Sequence, residues 1–385
     1  MAPIAVAGCL LLGCWPKPGC TADASVACLP LWNLDGAVAL NGGADHPADL
    51  ARIAGLVSSR SGLILVSDAE RPRLLLLDST GNLIRDVSAD RRIEQELVRP
   101  GVPSLLHGDT VAVLDPIGAR VLLFGPDMSY LGVRLLDRYQ SGAVAAFPLA
   151  ALAPGAALSG LVPTGPRFLS RGEVVRDAAI FGTVVSGGAG FDTLFVGRGF
   201  ELVGLGGGAV AAVRFGPSSI AAVGPGPRVW AGDTDSSVVF HIDPSTGARR
   251  VVRWADEPDS VTAADSARGV QADLAEWRQL VDGSGEQSQL KVEPALRQRP
   301  GRRTMPRFTG IVPTYDGGAW IVRRARPWSA TSEHLAVDAA GRVVARIAAP
   351  SRFRPLAVSG AWVLGTIPAG PAAEIAVRYH LARPE

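Results

Sequence analysis

A short order of strands and turns recurs along this chain, and it constrains the fold more than any other feature. Each copy contains an aliphatic strand after Gly or Pro, an Asp-containing turn, a second strand that ends near Asp, a Gly turn and a third strand. The copies begin at Gly62, Gly108, Pro227, Gly318 and Gly360. Strands of four to six residues are the usual length in packed sheets. With 45 Gly and 29 Pro among 385 residues, turns are too frequent for a protein of long helices.

The spacing of the copies predicts the architecture. Gly62 and Gly108 are 46 positions apart, and the last two copies, at Gly318 and Gly360, are 42 positions apart. The interval from Gly108 to Pro227 fits two units, and the interval from Pro227 to Gly318 fits one unit and an insertion. Blades of four strands take ~40–50 residues, so the repeat predicts an all-β, six-bladed β-propeller. A β-sandwich is the alternative fold, but it does not explain so long a repeat.

The repeat also sets the boundaries of the units. The propeller is expected over residues 48–385, with a degenerate third blade around 167–170 and 193–196. The strand Leu34–Leu40 is expected to pair with the last blade and close the ring, because closure removes exposed sheet edges.

An insertion over residues 256–306 separates the fourth blade from the fifth. Thr262 and Asp265 have the spacing of a helix N-cap. Four apolar side chains then recur on one helical face, at Val270, Leu274, Trp277 and Val281. The insertion is therefore predicted to begin with a helix that lies against one rim of the disc.

The N-terminal segment Met1–Gly13 is an uncharged apolar run, too short for a bilayer, which needs about 20 apolar residues. It has the length of the apolar region of a signal peptide, although no Lys or Arg precedes it. Leu11–Cys14 resembles the lipobox of bacterial lipoproteins, in which the cysteine is acylated and becomes the mature N-terminus. Val6–Cys9 fits the same pattern but leaves little hydrophobic sequence before it.

Cysteine parity favours the first of these two sites. Processing at Cys14 leaves Cys20 and Cys28, an even pair able to form a disulfide in an oxidising compartment, whereas processing at Cys9 leaves an odd thiol. We predict a signal peptide over 1–13, lipidation at Cys14 and a tether over 14–47. The expected location is the bacterial cell envelope, periplasmic or extracellular, with ordinary secretion as the alternative to lipid anchoring.

A second stretch, Ser141–Pro166, contains no charged residue. Its length suits a membrane span, but Pro148, Pro154 and Pro163 would each break a helix. A buried strand-and-loop segment is therefore predicted here, and the only membrane contact we expect is through the lipid anchor.

Five segments in the C-terminal half carry a family resemblance: Val213–Gly216, Arg228–Gly232, Phe353–Val358, Trp362–Gly365 and Val377–Leu381. They resemble exported bacterial six-bladed β-propellers of the NHL and TolB-like type. The resemblance covers about residues 48–383. It implies the fold and no particular activity, because the fold hosts unrelated functions.

Some propellers with six blades are lactonases that hold a divalent metal in the central channel through Glu, Asn and Asp. This chain has only three asparagines, Asn33, Asn41 and Asn82, and none follows a strand in the later blades. A hydrolase or lyase with carboxylates or a metal in the channel is therefore kept as the alternative function.

Other catalytic patterns are equally sparse. Asp233 and Asp235 lie in a turn where carboxylates could hold Ca²⁺, but an EF-hand-type loop needs further acidic positions, so a solvated turn is favoured. The G-x-G-x-x-A spelling at Gly204–Ala209 precedes a predicted strand instead of the helix that a dinucleotide site needs. No Gly-x-Ser-x-Gly elbow occurs. No cofactor is expected.

The densest mixture of basic and aromatic residues lies in the fifth blade and the preceding loop. It comprises Tyr315, Arg323, Arg324, Arg326 and Trp328, with Arg302 and Arg303 nearby. Such mixtures are favoured at binding surfaces. Since the net charge is only +2, nucleic acid is not an expected partner. The sequence thus predicts a binding or scaffold module with a protein or small-molecule ligand at a rim of the propeller.

Overall fold

The computed structural model describes residues 26–40, 50–94, 97–142, 144–163, 168–188, 190–206, 209–281, 293–323, 326, 329–369 and 373–383. The predicted signal peptide and the lipidation site Cys14 lie outside these ranges. Cys28 is disulfide-bonded. Its predicted partner, Cys20, also lies outside the described residues, so that pairing stays a prediction.

Strands dominate the described residues. The first half of the chain contains β1 (Leu31–Ala39), β2 (Ile53–Ser58), β3 (Ile64–Asp68), β4 (Arg73–Leu77), β5 (Leu83–Asp86), β6 (Pro103–Leu105), β7 (Val111–Asp115), β8 (Arg120–Phe124), β9 (Tyr130–Leu135), β10 (Gln140–Ser141), β11 (Val144–Ala153), β12 (Ala156–Pro163), β13 (Val174–Arg176) and β14 (Ala179–Val185). The second half contains β15 (Asp192–Gly197), β16 (Glu201–Gly206), β17 (Ala209–Ala212), β18 (Ser219–Gly224), β19 (Arg228–Asp233), β20 (Val238–Ile242), β21 (Arg249–Arg253), β22 (Gly310–Pro313), β23 (Ala319–Val322), β24 (Thr331–Val337), β25 (Val343–Pro350), β26 (Arg354–Ser359), β27 (Trp362–Pro368) and β28 (Glu374–Ala382).

Helices are few among the same residues. The α-helices are α1 (Arg91–Glu94), α2 (Ala263–Val281) and a short segment at 293–298, and single 3₁₀ turns occur at Val26–Cys28, Val87–Ala89 and His107–Asp109. The predicted all-β fold class is confirmed.

Most strands pair with antiparallel neighbours in sets of three or four, which we call blades. Through β1, the strands β22–β28 join into one eight-stranded sheet that includes the parallel pair of β1 and β25. The first blade is β2–β5, the second is β6–β9, the third is β11, β12, β14 and β15, and the fourth is β18–β21. β22–β25 form the fifth blade, and β26–β28 form the last blade, to which β1 adds a fourth strand. β13, β16 and β17 form a separate sheet of three strands, which we call the side sheet.

The first strand of each blade contacts the first strand of the next. β2 contacts β6, β6 contacts β11, β11 contacts β18, β18 contacts β22, β22 contacts β26 and β26 contacts β2. These inner strands surround a central channel, which is the arrangement of a β-propeller. The side sheet stands outside this ring: β13 lies between β12 and β14 of the third blade in sequence, and β16 and β17 lie between the third blade and the fourth.

β1 joins the two ends of the chain. It pairs antiparallel with β28, where Leu34 lies opposite Leu381, and parallel with β25, where Trp32 lies opposite Ile347. At its end, Leu40 is fully buried in a hydrophobic cluster shared by the first and last blades. The chain therefore closes the ring through backbone pairing and through a common apolar core.

The third blade differs from its sequence prediction at one end. Residues 168–170 form no strand, and the blade begins at β11 and β12, within the uncharged stretch Ser141–Pro166. A register shift accommodates Pro148 in β11. No helix among the described residues is long and apolar enough to cross a membrane.

A capped helix occupies the sequence between the fourth and fifth blades. The Thr262 hydroxyl accepts a hydrogen bond from the Asp265 amide, and the Asp265 carboxylate accepts one from the Thr262 amide, which is a reciprocal N-cap. On the predicted apolar face, Leu274 is buried, whereas Val270 and Trp277 are half-buried. The helix is held to the propeller by Arg214, which pairs with Asp273 at 2.8 Å.

Truncating Leu40 should test the closure of the ring. Leu40→Ala removes a fully buried side chain shared by the first and last blades, so we expect a loss of about 2–5 kcal/mol in the free energy of unfolding. Leu31→Ala on the same strand, at a side chain that is 41% exposed, should cost less than about 1 kcal/mol. Equal losses in urea titrations of the two variants would contradict this account of closure.

Candidate functional site

An apolar cleft of about 610 Å³ lies between the third blade, the side sheet and the inner strand of the fourth blade. A volume of this size is within the usual range of small-molecule sites. The cleft is lined by Phe147, Leu149, Gly160, Leu161, Val162, Pro163, Asp177, Ala178, Ala179, Ile180, Phe181, Gly199, Phe200, Leu202, Val210, Ser219, Ile220 and Ala221. Among these described residues, Asp177 is the only ionisable one.

The mouth of the cleft exposes two phenylalanines. Phe147 lies on β11 opposite Gly160 of β12, so the paired position on the neighbouring strand carries no side chain. Phe200 follows Gly199, whose φ of +70° and close approach to the Asp177 carbonyl leave no space for a Cβ. The Gly199 amide donates to the Ser219 hydroxyl at 2.8 Å. The loop that carries Phe200, which is 60% exposed, is therefore anchored by backbone contacts.

Phe181 is part of the wall of the cleft, and two further aromatic rings lie behind it. Phe181 lies 6.2 Å from Phe195, and Phe195 lies 5.6 Å from Phe240 of the fourth blade. All three belong to the apolar contact between the third and fourth blades. The wall is part of the core between two blades, so the cleft has a rigid inner side.

Charged groups stand beside the cleft and are paired with one another. Asp235 accepts hydrogen bonds from Arg176 and Arg198, both at 2.8 Å. Burial raises the pKa of Asp235, but the hydrogen bond and charge of Arg176, with the charge of Arg198, outweigh it and lower the pKa overall. Arg302 pairs with the buried carboxylate of Glu201 on the side sheet. These pairs fix the side sheet to the fourth blade and to the insertion.

The central channel is a second apolar cavity, of about 400 Å³. Arg354 is the only charged side chain among the described residues that line it. The Arg354 guanidinium donates to Glu374 and to the Ile53 carbonyl, both at 2.9 Å. A hydrolytic site in the channel would need several converging carboxylates, and the described lining does not supply them.

Tyr315 connects the fifth blade to the first. Its hydroxyl accepts a hydrogen bond from the Ser58 amide at 3.1 Å and donates to the Ser58 carbonyl. Burial raises the pKa of this phenol. Tyr315 therefore lines the channel and ties two blades together, and it does not project from a rim.

The structure separates the other members of the predicted basic-aromatic cluster. Arg302 lies beside the side sheet, Arg326 lies 3.5 Å from Asp265 of the insertion, and Arg303 is exposed. Arg324 and Trp328 lie outside the described residues. No shared patch of these residues is seen in the described part of the chain.

Arg323, which directly follows β23, belongs to an ion-pair network of the fifth blade. It contacts Asp256 at 3.1 Å and Glu333 at 3.0 Å. Arg307 also pairs with Asp256, and Arg346 with Glu333 at 3.2 Å. The network links the end of the fourth blade to the fifth, so Arg323 has a structural role.

Asp233 and Asp235, the predicted alternative for Ca²⁺, are both engaged by arginine. The Arg198 amide donates to Asp233 at 2.9 Å, and the neighbouring guanidinium groups disfavour a cation at Asp235. Within the described ranges, no three His, Cys, Asp or Glu side chains come together in a way that could hold a metal ion.

Two histidines pack against tryptophans within the blades. His241 lies 4.7 Å from Trp230, and His334 lies 6.4 Å from Trp320. Burial, with a contribution from Arg323, lowers the pKa of His334 to about 4. A neutral imidazole at this depth packs as part of the core.

The cleft was not predicted from the sequence, although one signal pointed towards it. Phe147, Leu149 and Leu161 come from the uncharged stretch Ser141–Pro166, which was interpreted only as a buried segment. Phe200 lies between two short strands without a distinctive pattern. The cleft depends on the side sheet, whose strands pair across long sequence separations.

No protein-family model matches the sequence, and no curated protein matches it. Among solved structures, the chain is similar to a Bacteroides fragilis protein with the working description of an exported protein, at 11% identity and a TM-score of 0.45, over 91% of this chain and 96% of that one. It is similar to virginiamycin B lyase from Staphylococcus aureus, at 8% identity and a TM-score of 0.37, over 90% and 99%. It is also similar to regucalcin, a calcium-binding protein from Agrobacterium tumefaciens, at 10% identity and a TM-score of 0.37, over 92% and 97%.

The propeller-like fold of this chain rests on the ring of contacts between its inner strands. Similarity of this degree concerns the fold alone, so it assigns no activity, ligand or location to this protein.

Proposed function

We propose that this protein binds an uncharged apolar small molecule in the cleft between the third blade, the side sheet and the fourth blade. The observation that carries the proposal is an open cleft of about 610 Å³ whose described lining is apolar except for Asp177 and Ser219. Exposed apolar surface is unfavourable in water, so a persistent apolar cleft with a rigid wall favours a ligand that covers it.

The proposed setting is the bacterial cell envelope, with the protein as a six-bladed propeller. The ring of inner-strand contacts from β2 to β26 supports the blade count, and the helix α2 supports an insertion between the fourth and fifth blades. The apolar run before Cys14 supports export and lipid anchoring, and the working description of the Bacteroides fragilis protein is compatible with export. The narrower relation to NHL and TolB-like propellers stays a prediction.

A channel hydrolase is the less favoured function. The described lining of the channel is apolar with one arginine, and that arginine is paired with Glu374. Binding therefore accounts for the described residues better than hydrolysis.

Two matched phenylalanine variants should test the cleft. The probe is N-phenyl-1-naphthylamine, an uncharged fluorophore that brightens in apolar surroundings. Phe200→Ala removes an aromatic wall of the cleft, so we expect binding to weaken by about 5- to 30-fold. Phe168→Ala removes a ring that is 79% exposed and does not line the cleft, so it should leave the affinity unchanged.

The titration separates the outcomes clearly. Saturable binding at one probe per protein, weakened only by Phe200→Ala, is the expected result. The proposed function is wrong if the wild type shows no saturable binding of the probe, or if both variants change the affinity equally.

The lipid anchor is tested independently of the cleft. If Cys14 is acylated, Cys14→Ser should move the protein from the membrane fraction to the soluble fraction of a bacterial host, while Cys9→Ser should leave it membrane-bound. Metabolic labelling with an alkyne-tagged fatty acid provides the chemical readout. If Cys14→Ser leaves both the fractionation and the labelling unchanged, Cys14 is not the lipidated residue.

A further inference from the structure

The cleft and the central channel meet at two residues. Leu149 of β11 and Ala221 of β18 line both cavities. β11 and β18 are neighbouring inner strands that contact each other. The cleft and the channel are therefore adjacent, and this apolar pair is their common boundary.

The junction contains no charge. Leu149 is aliphatic, Ala221 carries only a methyl group, and the nearest charged member of the channel lining, Arg354, lies on a different inner strand, β26. A charged or strongly hydrated group would lose its water here without a partner. An apolar chain meets no such penalty, and its hydrophobic free energy grows with the apolar area that it buries.

We infer that the ligand is an extended apolar molecule that occupies the cleft and passes between Leu149 and Ala221 into the central channel. This inference rests on the proposed function and names the shape of the ligand: a compact molecule fills the cleft alone, whereas an elongated one buries itself in both cavities. The cleft binds one end of the ligand, and the channel favours ligands that are long enough to reach into it.

Two uncharged fluorescent probes distinguish these shapes. N-phenyl-1-naphthylamine is compact, and all-trans-1,6-diphenylhexatriene is a rigid rod that cannot coil up inside the cleft. Both should bind the wild-type protein with saturation, and each should displace the other, because they share the cleft.

A larger side chain in the channel should then weaken the binding of diphenylhexatriene and leave the binding of the naphthylamine unchanged. Val102 lines the channel and not the cleft, and it is 44% exposed, so Val102→Phe can fold while it fills channel space. We expect diphenylhexatriene to bind at least about tenfold more weakly, and the naphthylamine to change by less than about twofold. Thr309→Phe repeats the test from the residue before β22, because Thr309 is exposed and also lines the channel.

The matched control is Val174→Phe. Val174 is 47% exposed and lines neither cavity, so this variant makes the same substitution at similar exposure and should leave both affinities unchanged. Thermal melts of the variants confirm that each is folded.

The remaining outcomes overturn the inference in identifiable ways. If the naphthylamine binds and diphenylhexatriene does not, or if folded Val102→Phe and Thr309→Phe both bind the rod as tightly as the wild type, the ligand is confined to the cleft. The extended-ligand inference then fails, and the proposed function stands. If neither probe binds the wild type, the proposed function fails as well.

Discussion

The closure of the ring by β1 is the constraint on which the rest of the molecule depends. Each blade buries its faces against two neighbours, so an unclosed end would expose one apolar face to water. β1 prevents this by completing the last blade through β28 and by pairing with β25 of the fifth blade. Leu40 then enters the core between the last blade and the first. The inner strands, and the cavities between them, keep their positions because the circle is complete.

Arginine reinforces the contacts between neighbouring blades. The Arg85 guanidinium donates to the Met128 carbonyl at 2.7 Å, from the first blade to the second. The Arg249 guanidinium donates to the Leu194 carbonyl at 2.8 Å, from the fourth blade to the third. A long side chain with several fixed donors reaches a backbone acceptor on the next blade while its stem covers apolar surface. Part of the abundant arginine in this chain therefore serves the propeller itself.

The same reasoning explains why the predicted basic cluster does not form a surface. Arg323 was assigned to binding because it lies near aromatic residues in sequence. In the structure the Arg323 guanidinium forms ion pairs with Asp256 and Glu333. The Tyr315 hydroxyl is hydrogen-bonded to Ser58. Proximity along a strand does not specify which face a side chain occupies, or which blade stands beside it.

Sequence patterns predicted the elements that nearby residues determine, which are short strands, turns and a capped helix. The recurring order predicted short strands separated by turns, and the Thr262–Asp265 spacing predicted the start of α2, because strands, turns and caps are set by nearby residues. The side sheet was not predicted, since β13 and β16 pair across more than 20 intervening residues. The cleft depends on that pairing, so Phe147 and Phe200 carried no recognisable pattern in the sequence.

The central claim is that an apolar ligand occupies the cleft beside the channel. Hydrogen-exchange mass spectrometry of the full chain, with and without N-phenyl-1-naphthylamine, tests it most directly because it locates the ligand. The account predicts slower amide exchange in peptides that cover 147–149, 177–181, 199–202 and 219–221, with the fifth-blade edge around Arg323 unchanged. Protection centred on the fifth blade, or no change in any peptide at saturating ligand, would contradict it.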